Sequence, residues 1–224
     1  MLCLVTDRRR LWPGAASLES ARRCVLEQAQ YAVDARIDLI HLRERDLSSA
    51  DLAALAADLL RLTRSTATRV VINDRLDVAL ACGADGVHLR ADSFTVTAAR
   101  RLVPSSFLVG RSVHSVSEAP AADGADYLVA GTVFPTASKG GAGACIGVEG
   151  LRAIVRAVAA PVLAIGGISI ERAGEVAAAG AAGIAGIGLF MAPETVAPSS
   201  CRAVSLADRA DAVRYQFDSR RGAS

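Results

Sequence analysis

Ile37-Asp38-Leu39-Ile40-His41-Leu42-Arg43-Glu44-Arg45, then an Ala/Leu-rich stretch over 50–63, then Val70-Val71-Ile72-Asn73-Asp74, is the passage that decides the fold. An apolar run stops abruptly at polar residues, a helical pattern follows, and a second apolar run begins. Strands buried on both faces read as continuous apolar runs, and strands alternating with helical patterns imply βαβ units. Outward from this passage, runs of the same kind fall at 2–5, 37–42, 70–72, 86–89, 107–109, 127–130, 162–165 and 183–188. Eight such units in 224 residues predict an α/β chain folded as a single (β/α)8 TIM barrel, a fold of typically ~250 residues. The residues just after each strand then line the rim where chemistry sits.

Helical patterns are clearest at 18–33, 50–63, 96–102, 148–158 and 170–179. No linker interrupts the chain before its C-terminal part, so the barrel is expected over 1–198, with a C-terminal helix and tail over 199–224. Gly83-Ala84-Asp85, Gly124-Ala125-Asp126 and Gly180-Ala181-Ala182 each lie between a helical pattern and an apolar run. A glycine there can take the left-handed conformation that ends a helix, which places these turns on the rim opposite the chemistry.

Composition narrows the function classes. A hydrophobic fraction of 52% with only 4% aromatics gives a core of Ala, Val, Leu and Ile, suited to layered packing in a barrel. A net charge of +2 gives no argument for nucleic acid, and Arg8-Arg9-Arg10 reads as solvated surface. No apolar stretch reaches the ~18–20 residues that cross a bilayer. The start Met1-Leu2-Cys3-Leu4-Val5 lacks a charged region and a small-residue cleavage site, so a cytoplasmic location is expected. Cysteines at 3, 24, 82, 145 and 201 form no CxxC pair and predict neither a zinc site nor a disulfide framework. Ala/Leu faces on the outer helices leave a homo-oligomer open.

Polar residues collect at the expected strand ends: Thr6 and Asp7; His41, Arg43, Glu44 and Arg45; Asn73 and Asp74; His88, Arg90 and Asp92; Ser112 and His114; Thr132, Thr136, Ser138 and Lys139. Gly166-Gly167 follows the seventh run, and Gly186-Ile187-Gly188 closes the eighth. Barrels often bind a phosphate between those last two loops, on backbone amides and the start of a short helix. Arg43, Arg45 and Lys139, with the hydroxyls of Thr136 and Ser138, suggest a second anion site. Asp74 and Asp92 are a fitting pair for Mg²⁺, which favours one or two carboxylates plus phosphate oxygens. That reading requires the two carboxylates to converge, with no permanent guanidinium between them. Glu44 is expected to pair with Arg43, and His88 to be a hydrogen-bonded structural residue. The glycine-rich segment 136–147 is too long for an ordinary βα turn and reads as a lid or clamp.

In this order the strand ends resemble the thiamin phosphate synthase/thiazole tautomerase family, over roughly 2–190. The matching motifs are Val5-Thr6-Asp7, His41-Leu42-Arg43-Glu44-Arg45, Asn73-Asp74, Asp85-Gly86-Val87-His88-Leu89 with Asp92, Gly110-Arg111-Ser112-Val113-His114-Ser115, Gly131-Thr132-Val133-Phe134-Pro135-Thr136-Ala137-Ser138-Lys139 and Ala164-Ile165-Gly166-Gly167-Ile168.

The resemblance implies a transferase joining hydroxymethylpyrimidine diphosphate to a thiazole phosphate with release of diphosphate. Its partners would be small phosphorylated substrates. It further implies Asp74 and Asp92 on Mg²⁺, and His41, Arg43, Arg45, Asn73, Ser112 and Lys139 around the pyrimidine diphosphate. Thr136, Ser138, Gly167, Ile187 and Gly188 would serve the thiazole phosphate, with Lys139, Ser112 and His114 as the catalytic candidates. His41 and Arg45 stand where the synthase pattern has Gln and Lys, and both match the tautomerase branch. In that branch His114 would shuttle a proton on a thiazole carboxylate phosphate, without metal. The retained acids at 74 and 92 favour the synthase. A non-catalytic phosphate-binding homologue is the remaining alternative.

Overall fold

The computed structural model describes residues 1–13, 17–136, 145–191 and 205–221. Eight parallel strands close into a barrel in chain order: β1 (Leu2–Val5), β2 (Leu39–Leu42), β3 (Arg69–Asn73), β4 (Gly86–Leu89), β5 (Leu108–Val113), β6 (Tyr127–Gly131), β7 (Val162–Ile165) and β8 (Gly183–Gly186). Closure is made by β1 against β8, with Cys3 opposite Ala185. The helices are α1 (Arg8–Leu11), α2 (Leu18–Asp34), α3 (Ser49–Thr63), α4 (Leu76–Cys82), α5 (Val96–Arg100), α6 (Gly147–Ala157), α7 (Ala173–Ala178) and α8 (Leu206–Arg221).

The two-residue period of a strand sorts the apolar residues into two cores. Cys3, Val5, Leu39, Val71, Tyr127, Val129, Leu163 and Ala185 fill the inside of the barrel. Their neighbours Leu4, Ile40, Leu42, Val70, Ile72, Val87, Leu89 and Ile184 point outward onto the helices. This parity continues past the strand ends and decides which polar side chains face the mouth. Gly110 keeps the interior open at mid-height, because a Cβ there would sit 2.2 Å from the Tyr127 ring.

On the opposite rim, Gly83, Gly124 and Gly180 take φ of +68°, +78° and +88°, as their place after a helical pattern predicts. Three acids on the same rim have a further task. Asp38, Asp85 and Asp126 accept the N–H groups of Leu2 (2.6 Å), Val70 (2.7 Å) and Val109 (2.7 Å). Each carboxylate thus caps the first amides of the strand next door, binding β1 to β2, β3 to β4 and β5 to β6.

Several elements differ from the sequence reading: α1 is additional to it, the pattern at 170–179 yields only Ala173–Ala178, and the run at 107–109 becomes Leu108–Val113. The pattern at 96–102 yields only α5, which ends at Arg100; Pro104 disfavours helical backbone before it. Between β5 and β6 lies a 3₁₀ segment, Val116–Ala122, with Pro120 inside it. The seven residues of α4 are too few to show a helical period. The last helix, α8, buries Leu206, Ala210 and Val213, and its Arg214 donates to the carbonyls of Ala35 (3.0 Å) and Arg36 (2.6 Å) after α2. The expected division at 198 falls outside the described residues. Among the described residues, no helix is long and apolar enough to cross a membrane.

Candidate active site

A cavity of about 680 Å³ opens at the C-terminal ends of the strands. Its wall is built by the inward parity: Val5 and Asp7 from β1, His41, Arg43 and Arg45 from β2, Asn73 from β3, and His88, Arg90 and Asp92 from β4. Ser112 and His114 follow from β5, Gly131, Thr132 and Thr136 from β6, Gly166 to Ile168 from β7, and Ile187 to Leu189 from β8. Every candidate named from the sequence and described in the structure therefore shares one surface, except Asp74, which does not line the cavity. Ser138 and Lys139 lie outside the described residues, as does most of the expected lid.

The floor is a buried hydrogen-bonded chain. His88 Nδ1 lies 3.1 Å from the Tyr127 hydroxyl, and its Nε2 lies 2.9 Å from Ser112 Oγ. Burial holds the Tyr127 phenol well above its ordinary pKa, so it keeps its proton. A buried O–H needs an acceptor, and His88 Nδ1 is the one at hand. Nε2–H then donates to Ser112, which leaves the serine O–H as a donor towards the cavity. Burial also pushes the His88 pKa down to about 3, so the ring is neutral. His88 thus has the structural role expected of it, and in addition sets the polarity of Ser112.

His41 packs against His88 with the rings tilted by 48° and their centroids 4.5 Å apart. Its pKa is held well below the ordinary value, first by burial and then by His88 and Arg43. Its Nε2 lies 3.2 Å from Asn73 Oδ1. That oxygen only accepts, so His41 donates and the Asn73 amide N–H groups remain as donors. Arg43 is partly buried, and burial, then the like charge of Arg45, lower its pKa. Two guanidinium groups held close together on one wall are poised for a polyanion.

Two expectations about charge are corrected. Glu44 does not pair with Arg43; its carboxylate takes Arg8 Nη1 at 2.9 Å and the Arg8 backbone N–H at 3.1 Å. Residue 44 has the opposite parity to 43 and 45 and points away from the mouth. The run 8–10 is not uniform surface either. Arg8 is consumed by Glu44 and by Asp46 at 2.6 Å, whereas the turn of α1 brings Arg10 to the cavity, 3.5 Å from where a Gly188 Cβ would stand. A cation thus sits beside the glycine loops of β7 and β8. Sequence reasoning missed it because a single helical turn, not a strand, carries it there.

Gly166 and Gly167 take φ of +102° and +63°. A Cβ on Gly167 would also lie 2.5 Å from the Pro135 carbonyl oxygen. Packing against the β6 loop alone demands these glycines. They nevertheless face the cavity opposite β2–β4, next to the 3₁₀ turn Gly188–Phe190, whose first amides have no carbonyl one turn back to bond.

The two acids meet on a cation. Asp74 is off-parity and left-handed, φ +60°, a conformation Asp tolerates better than most residues. Its Oδ1 accepts the Arg90 N–H at 3.2 Å, and its Oδ2 lies 3.8 Å from Arg90 Nη1. Arg90 Nη2 bonds Asp92 at the same time. The loop that bears Asp92 is pinned by Arg111, buried, which donates to the carbonyls of Ala91 and Phe94 at 2.8 Å each. Among the described residues no group of three or more His, Cys, Asp and Glu could hold a metal. A two-carboxylate set suits Mg²⁺, which completes its shell with water and phosphate oxygen. Both acids contact one guanidinium, whose side chain is 46% exposed.

His114 Nδ1 bonds the Gly131 carbonyl, and its backbone N–H donates to Glu118 at 2.8 Å. A carbonyl oxygen only accepts, so Nδ1 carries a proton.

The model of the thiamine monophosphate synthase family matches residues 2–190. The chain belongs to the thiamine monophosphate synthase family. It is 42% identical over 200 residues to the thiamine-phosphate synthase of Methanoregula boonei, covering 88% of this chain and 91% of that one. The thiamine-phosphate synthase of Moorella thermoacetica is 40% identical over 190 residues, 84% of this chain and 90% of its own. Among solved structures, the thiamine phosphate pyrophosphorylase of Pyrococcus furiosus superposes with a TM-score of 0.76 at 34% identity, over 97% of this chain and 95% of that one. A 3-hexulose-6-phosphate synthase, TM-score 0.63 at 18% identity over 96% of this chain, shares the fold.

Proposed function

We propose that this chain is a cytoplasmic, Mg²⁺-dependent thiamine-phosphate synthase, joining hydroxymethylpyrimidine diphosphate to thiazole phosphate with release of diphosphate. What supports the reading is the set of groups that line opposite walls of one cavity. Arg43, Arg45 and Asp92 line the β2–β4 side, with Asp74 behind them joined to Asp92 through Arg90, and the glycine loops with Arg10 line the β7, β8 and α1 side. A reaction that couples a diphosphate to a phosphate ester needs that separation, with the two rings meeting between.

The chain's own groups divide the work. Arg43 and Arg45 hold the diphosphate and draw charge from it. Asn73, fixed by His41, and Ser112, fixed by His88, offer N–H and O–H donors along the same wall. Arg10 and the amides near Gly167, Ile187 and Gly188 bind the thiazole phosphate, and Thr136 sits between that cradle and the β6 loop. Lys139 and Ser138, which lie outside the described residues, would add a cation and a hydroxyl by the family resemblance. Asp74 and Asp92 would hold Mg²⁺, which would neutralise the leaving diphosphate. Positioning and charge, more than a base, are what the protein contributes.

A second reading rests on His114, whose imidazole at the cavity suits proton transfer on a thiazole carboxylate phosphate, the isomerase alternative. Paired variants separate the two. Asp92→Asn should lower synthase turnover by about a hundredfold or more, while His114→Asn leaves it within a few fold. If His114→Asn abolishes turnover and Asp92→Asn does not, the metal-assisted transferase is wrong and the proton shuttle stands.

A further inference from the structure

The proposed function assigns cations to the substrate and acids to the metal, yet leaves Arg90 with its guanidinium between the two acids. Its Nη2 bonds Asp92, its Nη1 faces Asp74 Oδ2 at 3.8 Å, and its backbone N–H donates to Asp74 Oδ1 at 3.2 Å. The other cation beside this pair is already committed elsewhere: Arg75 takes Asp77 at 2.6 Å and Ser49 at 2.9 Å. Arg90 is therefore the counter-ion of the acid pair. It is also on the inward parity of β4 and lines the cavity.

From this geometry we infer that Arg90 is a built-in exchange cation: it closes the Asp74/Asp92 pair against a free divalent ion and moves to the diphosphate when metal and diphosphate enter together. The inference rests on the proposed metal site. A guanidinium and a divalent cation cannot share the space between two carboxylates, so one must leave for the other to bind. Half-exposed on a flexible stem, Arg90 can leave without unfolding anything. Once displaced, it has Arg43 and Arg45 as like-charged neighbours across the mouth and gains stability only if an anion joins them. Free metal alone then binds weakly, and metal with diphosphate binds cooperatively. If the closed arrangement holds nine-tenths of the metal-free population, it lowers the apparent affinity for metal alone about tenfold.

The test is Mn²⁺ alone, titrated by electron paramagnetic resonance into wild type, Arg90→Ala, Arg90→Lys, Arg75→Ala and the double variant Arg90→Ala/Asp92→Asn. Arg90→Ala should bind Mn²⁺ about tenfold more tightly than wild type. Arg75→Ala removes an equal charge next to Asp74 and should change little; Arg90→Lys should remain near wild type. Adding inorganic diphosphate should sharpen binding more in wild type than in Arg90→Ala. Equal Mn²⁺ affinity in wild type and Arg90→Ala, with loss in the double variant, overturns the exchange role but keeps the metal site. An equal gain in Arg75→Ala reduces the effect to net charge and also overturns it. No Mn²⁺ binding in any variant overturns the exchange role and the metal reading together.

Discussion

Ser112, His88 and Tyr127 show how a buried chain can turn a neutral hydroxyl into a committed donor. At neutral pH the phenol keeps its proton, the imidazole stays neutral, and the serine is left with one direction in which to give its proton. The same burial has a cost in acid. The His88 pKa lies near 3 in the folded protein and about 6.5 when unfolded, so between those values the unfolded chain binds the extra proton. Stability is therefore full above pH ~6.5 and falls as the pH drops towards 3. His41 is shifted in the same direction. Thermal melts from pH 7 to 4 should show a falling midpoint in wild type and a shallower fall in His88→Gln, with His41 supplying the remainder. Equal slopes in the two proteins would show that His88 is not the group being titrated.

At the scale of elements, a strand's alternation is what made the site readable. Residues 41, 43 and 45, then 73, then 88, 90 and 92, then 112 and 114 share the inward parity, and all of them face one cavity. Glu44 was misassigned because pairing was read from adjacency, whereas parity sends it outward to Arg8. Asp74 breaks the rule through its left-handed φ, which no pattern of apolar residues announces. The reach of Arg90 back over two acids, and of Arg111 under the loop that carries Asp92, depends on long side chains and was equally invisible in the sequence. The Gly-Ala-Asp turns were legible as turns, but the capping of a neighbouring strand by their acids required the closed sheet. Asp85→Ala leaves the Val70 N–H without its carboxylate, and the expected loss is about 1–3 kcal/mol of folding stability. Chemical denaturation measures it; a loss below ~0.5 kcal/mol would mean that water replaces the carboxylate at no cost.

The whole molecule separates stability from chemistry by rim. One end holds the capping acids and left-handed glycines; the other gathers arginines, paired acids, three histidines and two glycine loops around one opening. That polarity follows from eight strands running the same way, which is why the apolar runs of the sequence were enough to locate the mouth. The most direct measurement is product formation by the purified full-length chain given hydroxymethylpyrimidine diphosphate, thiazole phosphate and Mg²⁺. Thiamine phosphate and free diphosphate should appear in equal amounts and stop on chelation of the metal. Binding of both substrates with no diphosphate released would contradict a transferase at this site.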